Sequence, residues 1–345
     1  MFIVIVMTFF LFPASLNYHV TEQYNISGDS EDAFIYLSVL VPKSDPYQWV
    51  GNVAVDWNGN QQIVNYDHVD AIRLSGKFGD GEDIDANISY DVKLKQDWVT
   101  WEAPVETFQN LPQKGIESDH YLIQERASEL SKNSFLQGVP YSIYSFTSDY
   151  LTYSQMQNDC ASSSALMSYE IGSCVCAGYA RLMVALSRAS QIPAQMVVGF
   201  LFPDPIVKRY DAANQQNPGQ AHAWVEYYSF GKWKMADPTL GSGIWKRIYF
   251  NRNDGRHIAY GELEQLSLIN TEQQYWALSH ADISIGDDEC FKYTASTNSD
   301  QVSIAPTVLI RKGWDGRWLN SIIIWAVATF ILCKYRNKII AVSPP

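Results

Sequence analysis

Positive charge is in short supply in this 345-residue chain: 25 lysines and arginines face 37 aspartates and glutamates, for a formal net charge of −12. That balance excludes a general nucleic-acid footprint. Charged residues of both signs make up only 18% of the chain. They form no long block, so the acidity reads as a solvated surface and requires no cationic partner. No internal repeat or low-complexity segment stands out. Metal-ligand spacing is also missing. Cys174, Cys176 and His222 are followed by no second CxxC or HxxxH that would close a zinc site. The acidic GDGEDID stretch, residues 79–85, lacks the ligand periodicity and terminal Glu of a calcium loop and reads as a solvated hairpin turn. No metal or cofactor is expected, and no oligomeric state is indicated.

Hydrophobic residues, in contrast, make up 47% of the chain, enough for a sizeable core. The length suits two domains better than one. Both ends are apolar. Phe2 to Phe12 (FIVIVMTFFLF) has the length of a signal-peptide core and is followed by Pro13, Ala14 and Ser15. No Lys or Arg precedes it, and it is too short to cross a hydrocarbon layer of roughly 30 Å. A signal peptide is therefore expected over residues 1–16, with cleavage near Ala14 to Asn17. Near the other end, residues 318–335 are apolar from Ile322 onward, with Trp314 and Trp318 before them and Lys334, Tyr335, Arg336 and Lys338 at and beyond their end. Interfacial aromatics and flanking basic residues mark a membrane span. The segment is short, and the long side chains of Arg317 and Lys334 lengthen its effective reach. A transmembrane anchor is expected over 318–335 and a cytoplasmic tail over 336–345, with a buried C-terminal helix as the alternative. Together the ends place the body of the chain outside the cytoplasm, where disulfides persist. Of the five cysteines, Cys333 falls in the anchor and Cys160, Cys174, Cys176 and Cys290 lie outside it; their connectivity is not legible.

Residues 17–112 read as a β-rich domain. AFIYLSVLVP, WVGNVAVDW, AIRLSG and ANISYDVKL are short runs rich in β-branched and aromatic residues, separated by turn material. Their spacing suggests an all-β, sandwich-like domain, a recognition or support module with no catalytic spacing. A second domain, 113–310, begins with a helix at about 118–135, with Leu122, Ile123, Ala127 and Leu130 on one face. A second helix is expected over Tyr141 to Gln157, with Pro140 at its first turn. After Asp237 the chain reads as mixed strand and loop up to about Val308.

The chemistry lies between these regions. In GSCVCAGYARLMVALSRASQIPAQMVVGF, a helix pattern runs from about Val175 to Arg188, and Pro193 stops it. Cys176 thus falls in the first turn of a helix, where unpaired amides and the helix dipole stabilise a thiolate and can receive an oxyanion. A lone cysteine in an apolar helix is otherwise a small buried hydrophobe. In QAHAWVEYYSFGKWKMADPT, two strands meet at a turn around Ser229 to Lys232. His222, Trp224, Glu226 and Tyr228 share one face, and Trp233, Met235 and Asp237 share one on the returning strand. If His222 is opposite Asp237 or Thr239, the His222 and Asp237 side chains point the same way; a one-residue slip separates them. In the first case Asp237 orients the imidazole and stabilises the imidazolium, while the other ring nitrogen faces the thiol.

CAGYARLMVALSRASQIPAQMVVGF resembles the nucleophile helix of the transglutaminase-like superfamily: a cysteine, two residues, an aromatic and an alanine, then an apolar helix, an Ile-Pro-Ala turn and a strand. AHAWVEYY and the following ADPT resemble its histidine and aspartate motifs, in the same order, and RIYFNRNDGRHIAYG is a continuation of the likeness. The resemblance implies an α+β fold with a papain/transglutaminase-like core. Cys176 would be the nucleophile, His222 the general base and then acid, and Asp237 the orienting residue. One departure is Cys174, where many members have Gly two residues before the nucleophile; a redox role or a disulfide with Cys160 or Cys290 stays open. Gln155, Gln157 and Trp224 are candidate oxyanion donors. The expected reaction is acyl transfer on protein or peptide amide bonds through a Cys176 thioester. Water as acceptor makes a cysteine protease or amidase, and a lysine amine makes a transglutaminase. The abundance of water favours hydrolysis. A non-catalytic binding or scaffold module on the same fold is the alternative.

Overall fold

The structure is a computed structural model that describes residues 14–28, 33–67, 69–78, 83–134, 138–154, 164–202, 217–218, 220–243, 246–281, 283–285, 293–299 and 302–312. The apolar run of the expected signal peptide, the expected anchor and the tail lie outside the described residues, as do Cys160, Cys290, Cys333, Gln155, Gln157 and residues 79–82 of the acidic turn. Among the described residues no helix is long and apolar enough to cross a membrane.

In chain order the strands are β1 (Ala14–Gly28), β2 (Ala33–Pro42), β3 (Gln48–Asp56), β4 (Asn60–Asn65), β5 (Val69–Phe78), β6 (Ile84–Trp98), β7 (Thr100–Trp101), β8 (Thr152–Tyr153), β9 (Ser173–Cys174), β10 (Ala194–Leu201), β11 (Asn217–Pro218), β12 (Gln220–Ser229), β13 (Lys232–Ala236), β14 (Arg252–Asn253), β15 (His257–Glu262), β16 (Ile283–Ile285), β17 (Tyr293–Thr297) and β18 (Val302–Lys312). The α-helices are α1 (Tyr121–Lys132), α2 (Gly138–Tyr150), α3 (Ala165–Ile171), α4 (Cys176–Ala189) and α5 (Leu263–Leu278).

Alternation builds the first unit. Leu16, Tyr18, Val20, Glu22, Tyr24 and Ile26 of β1 are all buried, as are Ala33, Ile35, Leu37, Val39 and Val41 of β2 and Ala86, Ile88, Tyr90, Val92 and Leu94 of β6. A period of two turns these residues to one face of each strand. Two sheets, β11-β18-β1-β6-β14 with β3 on β6 and β16-β17-β2-β5-β4, close on this shared core. Each fully buried aliphatic or aromatic side chain contributes about 1.5–3 kcal/mol, and a one-residue slip would expose a whole row.

The boundaries differ from those expected. β16, β17 and β18 were assigned to the second domain, yet β18 pairs with β1 (Tyr18 opposite Lys312) and β17 with β2 (Tyr293 opposite Val39). The sandwich is thus assembled mainly from both ends of the described chain, and the second unit, which lies between β6 and β16, lends it the two-residue strands β11 and β14. Sequence patterning cannot show which sheet a strand joins, because β17 and β18 have the same composition as strands of either unit. Ala14 to Leu16, expected in the signal segment, are the first residues of β1 and pair with Gln96 to Leu94. The helix expected over Tyr141 to Gln157 ends at Tyr150 and gives way to β8. α5 replaces strand and loop. Its apolar residues lie on every side, with Leu263 and Leu266 buried but Leu268 and Tyr275 about three-quarters exposed, so it has no helical stripe to betray it.

The inserted unit is a five-stranded antiparallel sheet, β15-β10-β12-β13-β7. α4 packs on one face, where its Leu182, Met183 and Leu186 meet Ala223, Val225 and Tyr227 of β12. Trp224, Met235, Val197 and Tyr47 form the layer on the other face. β10 bulges between Val198 and Gly199 against β15. A Cβ on Gly199 would lie 2.0 Å from the Ile258 carbonyl oxygen and 2.9 Å from the Trp224 ring. Backbone cannot give way cheaply there, so Gly199→Ala is expected to cost about 2–4 kcal/mol. Urea unfolding checks this through a lower midpoint at unchanged slope; a cost below about 0.5 kcal/mol would mean that the bulge relaxes around the methyl group.

Candidate active site

The IGSCVC sequence places Cys176. Ser164 caps α3 by accepting from the Met167 amide, and Gly172 ends that helix in the left-handed conformation at φ 73°. Ser173 and Cys174 then pair in parallel with Thr152 and Tyr153. Val175 is extended, and Cys176 is the first residue of α4. Helix geometry leaves the amides of Cys176 and Ala177 without an acceptor inside the helix. Cys176 is 8% exposed. Cys174 is fully buried, and both cysteines are free thiols among the described residues. Burial pushes the Cys174 thiol up to about 11, and the neighbouring Cys176 adds to the rise.

β12 and β13 deliver the other two expected residues. Their hairpin turns at Phe230 and Gly231, both at positive φ, the geometry of a tight two-residue connection. Val225 is opposite Ala236 and Ser229 opposite Lys232, which carried back along the strands sets His222 against Thr239. This is one of the two registers that bring the side chains together. His222 Nε2 lies 2.9 Å from Asp237 Oδ2. A carboxylate only accepts, so Nε2 carries the proton and Nδ1 is left for the thiol. Cys176 lies close enough to this imidazole to help hold its proton. Asp237 Oδ1 accepts from the backbone amides of Thr239 (2.9 Å) and Leu240 (3.3 Å).

The structure adds a residue that sequence patterning missed. His257, the first residue of β15, places its Nε2 3.0 Å from the same Asp237 Oδ2 and its Nδ1 3.0 Å from Asp254 Oδ1. Asp254 is held in turn by the Arg256 guanidinium at 2.5 Å and the Arg256 amide at 3.0 Å. His257 is 1% exposed. The NDGRH stretch was visible as a continuation of the family likeness, but only the fold brings it back beside Asp237. Trp224, an oxyanion candidate, is fully buried and packs against both imidazoles, with ring centroids 6.3 Å from His222 and 5.0 Å from His257.

Burial disfavours charge at each of these groups, and their mutual attraction overrides it. Against the cost of burial, the charge and hydrogen bond of Asp237 and the Cys176 sulfur hold the His222 imidazolium to higher pH than usual. Asp237 is driven well below the ordinary carboxylate range by His222 and then His257, again against burial. Asp254 is lowered to about 2 by His257 and Arg256 against the same opposition. His257 is raised, since Asp254 and Asp237 together outweigh its desolvation. The donor atoms of His222, Asp237 and His257 lie within 4.8 Å of one another, a grouping of a size to hold a metal ion. The hydrogen bonds already occupy those atoms, since both Nε2–H groups point at one carboxylate oxygen. A thiol, an imidazole and a carboxylate in series can carry out nucleophilic acyl chemistry with internal proton transfer.

Residues 125–238 match the family model of the transglutaminase-like superfamily. No curated protein sequence matches the chain. Among solved structures, a candidate cysteine protease from Cytophaga hutchinsonii is similar at a TM-score of 0.52 and 12% identity, over 88% of this chain and 99% of that one; at this identity the likeness is one of fold. The periplasmic domain of TgpA from Pseudomonas aeruginosa aligns at a TM-score of 0.33 and 18% identity, over 68% of this chain and 91% of that one.

The shifts set a pH window for stability. A carboxylate with a depressed folded pKa stabilises the fold above its unfolded value of about 3.9, and that contribution is lost as pH falls through the folded value. Melting temperature is therefore expected to drop steeply from about pH 4 toward the Asp254 value of about 2. The raised histidines act in the opposite sense: their contribution is full below about pH 6.5 and declines as pH rises through their folded values. Asp254→Asn should flatten the acid slope, and equal slopes in the two proteins would contradict the assignment.

Proposed function

We propose, on the premise that the chain belongs to the transglutaminase-like superfamily through residues 125–238, that it is a thiol enzyme acting on protein or peptide amide bonds with Cys176, His222 and Asp237 as its catalytic residues. The observation that carries this reading is the continuity of the three groups: a helix-start thiol in reach of an imidazole whose far nitrogen is fixed by a buried carboxylate 2.9 Å away.

In the first half-reaction His222 Nδ1 takes the thiol proton and the thiolate adds to the amide carbonyl carbon. The oxyanion faces the free amides at the start of α4. His222 then gives its proton to the leaving nitrogen, the C–N bond breaks, and ammonia or an amine departs, leaving the acyl group on sulfur as a thioester. In the second half-reaction water or a primary amine, deprotonated by His222, attacks the thioester. The acid or new amide leaves and the proton returns to sulfur. The abundance of water favours hydrolysis. The composition of the two chain ends supports an extracytoplasmic setting, with residues 318–335 as the membrane anchor.

The test offers glutamine-containing peptides with and without a primary amine and identifies products by mass. Backbone cleavage is the product of a protease, ammonia release without exchange that of an amidase, and amide exchange that of a transglutaminase. Cys176→Ala is expected to abolish the product, and His222→Ala to slow it by about 10²–10⁴-fold. Iodoacetamide should modify Cys176 faster than Cys174 in a His222-dependent manner. If no product depends on Cys176 and the two thiols react alike, the chain is a binding or scaffold module instead.

A further inference from the structure

Asp237 Oδ2 is shared by two imidazoles, and only one of them has a part in the proposed reaction. His257 lies between two carboxylates, 3.0 Å from Asp237 Oδ2 at one nitrogen and 3.0 Å from Asp254 Oδ1 at the other. Neither carboxylate has a proton to give: Asp254 also accepts from the Arg256 amide and guanidinium, and Asp237 from the amides of Thr239 and Leu240. Ionised carboxylates only accept hydrogen bonds. Both ring nitrogens of His257 must therefore carry protons, and the ring is an imidazolium. It is closed to solvent: it is 1% exposed, with the Trp224 ring packed edge-on against it at a centroid distance of 5.0 Å.

We infer that His257 is a charged positioning residue, which holds the Asp237 carboxylate in line with His222 and offsets part of its charge, so that His222 holds its proton less tightly than it would beside Asp237 alone. The inference rests on the catalytic reading of Cys176, His222 and Asp237. The charge balance shows why a second cation is useful. A lone buried carboxylate 2.9 Å from His222 would bind the imidazolium so tightly that general-acid catalysis would stall, since an efficient acid has a pKa near the working pH. Asp237, Asp254, His257 and Arg256 instead sum to zero. Among the described residues, further ionisable neighbours are Cys176 on α4, at His222, Tyr249, whose hydroxyl accepts from the Arg256 guanidinium at 2.8 Å, and Tyr144 on α2, whose hydroxyl is pushed far above its usual range by burial and by Asp237. His257 and Asp254 lie outside the residues matched by the family model, 125–238.

The test is substrate-free. Full-length protein labelled with ¹⁵N-histidine is titrated by NMR from about pH 5 to about pH 12, spanning the ordinary histidine range and the raised value of about 10 for His222. His257 should keep the ring-nitrogen shifts of an imidazolium across the neutral range. The His222 midpoint should rise by about one pH unit or more in His257→Asn, because one positive charge is lost from a ring whose centroid lies 5.6 Å away. Asp254→Asn, which removes one of the two negative charges that hold the proton on His257, should move the His222 midpoint in the same direction. It keeps the test available should His257→Asn fail to fold. A chelator should leave the wild-type spectrum unchanged. A neutral His257 ring near pH 7, an unmoved His222 midpoint in the folded variants, or chelator-sensitive shifts would overturn the inference. Failure of the catalytic reading is seen separately, as a Cys176 that yields no product and alkylates no faster than Cys174.

Discussion

The carboxylate of Asp237 is the constraint on which the rest of the site depends. It is 1% exposed and accepts four hydrogen bonds, two from backbone amides at the end of the β12–β13 hairpin and two from imidazoles. A buried carboxylate with fewer partners would take up a proton or destabilise the fold. Saturation keeps it ionised and fixes the point on which both rings converge, their planes tilted by 49° to one another. The amides of Thr239 and Leu240 also explain why the ADPT sequence works as a unit. Pro238 ends the strand, and the turn that follows presents its N–H groups to the side chain at its start, in the manner of an Asx turn.

The sandwich holds the far side of this arrangement. The segment that carries His257 has few partners in its own sheet beyond β10, but it is tied to the first unit at three points. Tyr18 donates to the Gly255 carbonyl at 2.6 Å, Gln48 exchanges two hydrogen bonds with Ala259 at 2.6 and 2.9 Å, and Tyr260 donates to Glu22 at 2.7 Å. Glu22 occupies a core position on β1 and also accepts from Tyr24 and Tyr90. The burial of a carboxylate among three phenols is costly unless each bond is made. The cluster therefore favours a single seating of β15 against the sandwich, and with it the direction from which His257 approaches Asp237. The upstream unit thereby acts on the site through hydrogen bonds that neither unit could complete by itself.

The helix start at Cys176 and the β12–β13 hairpin were legible because each rests on local rules. Pro193 limits α4, a turn around Ser229 to Lys232 joins the strands, and a period of two sets which side chains share a face. The approach of His222 to Asp237 was legible only as a condition on the register, which the Phe230–Gly231 turn and the pairing of Val225 with Ala236 supply in the structure. What was not legible depends on distant partners. The placement of β16 to β18 in the sandwich turns on pairings such as Tyr18 with Lys312 across the whole chain. His257 is a lone histidine at the start of a short strand, and nothing local distinguishes it from a solvated one. α5 hid because its exposed Leu268 and Tyr275 blur the apolar stripe that identifies a helix.

The two neighbouring thiols show how finely local packing sorts chemistry. Cys174 occupies a place where many relatives of this motif have glycine, and the chain accommodates its side chain by having a glycine four residues later. A Cβ on Gly178 would lie 2.6 Å from both the Cβ and the Sγ of Cys174 and 2.5 Å from Ser168 Oγ. Helix α4 can thus begin over a buried thiol only because its third residue has no side chain. Burial then holds Cys174 protonated, with its pKa at about 11, while Cys176, two residues on, meets the free amides of the helix start and the His222 ring. A thiolate is a nucleophile and a buried thiol is not. The same sequence step that forces Cys174 inward sets Cys176 at the start of α4, so of the two thiols only Cys176 occupies the helix start.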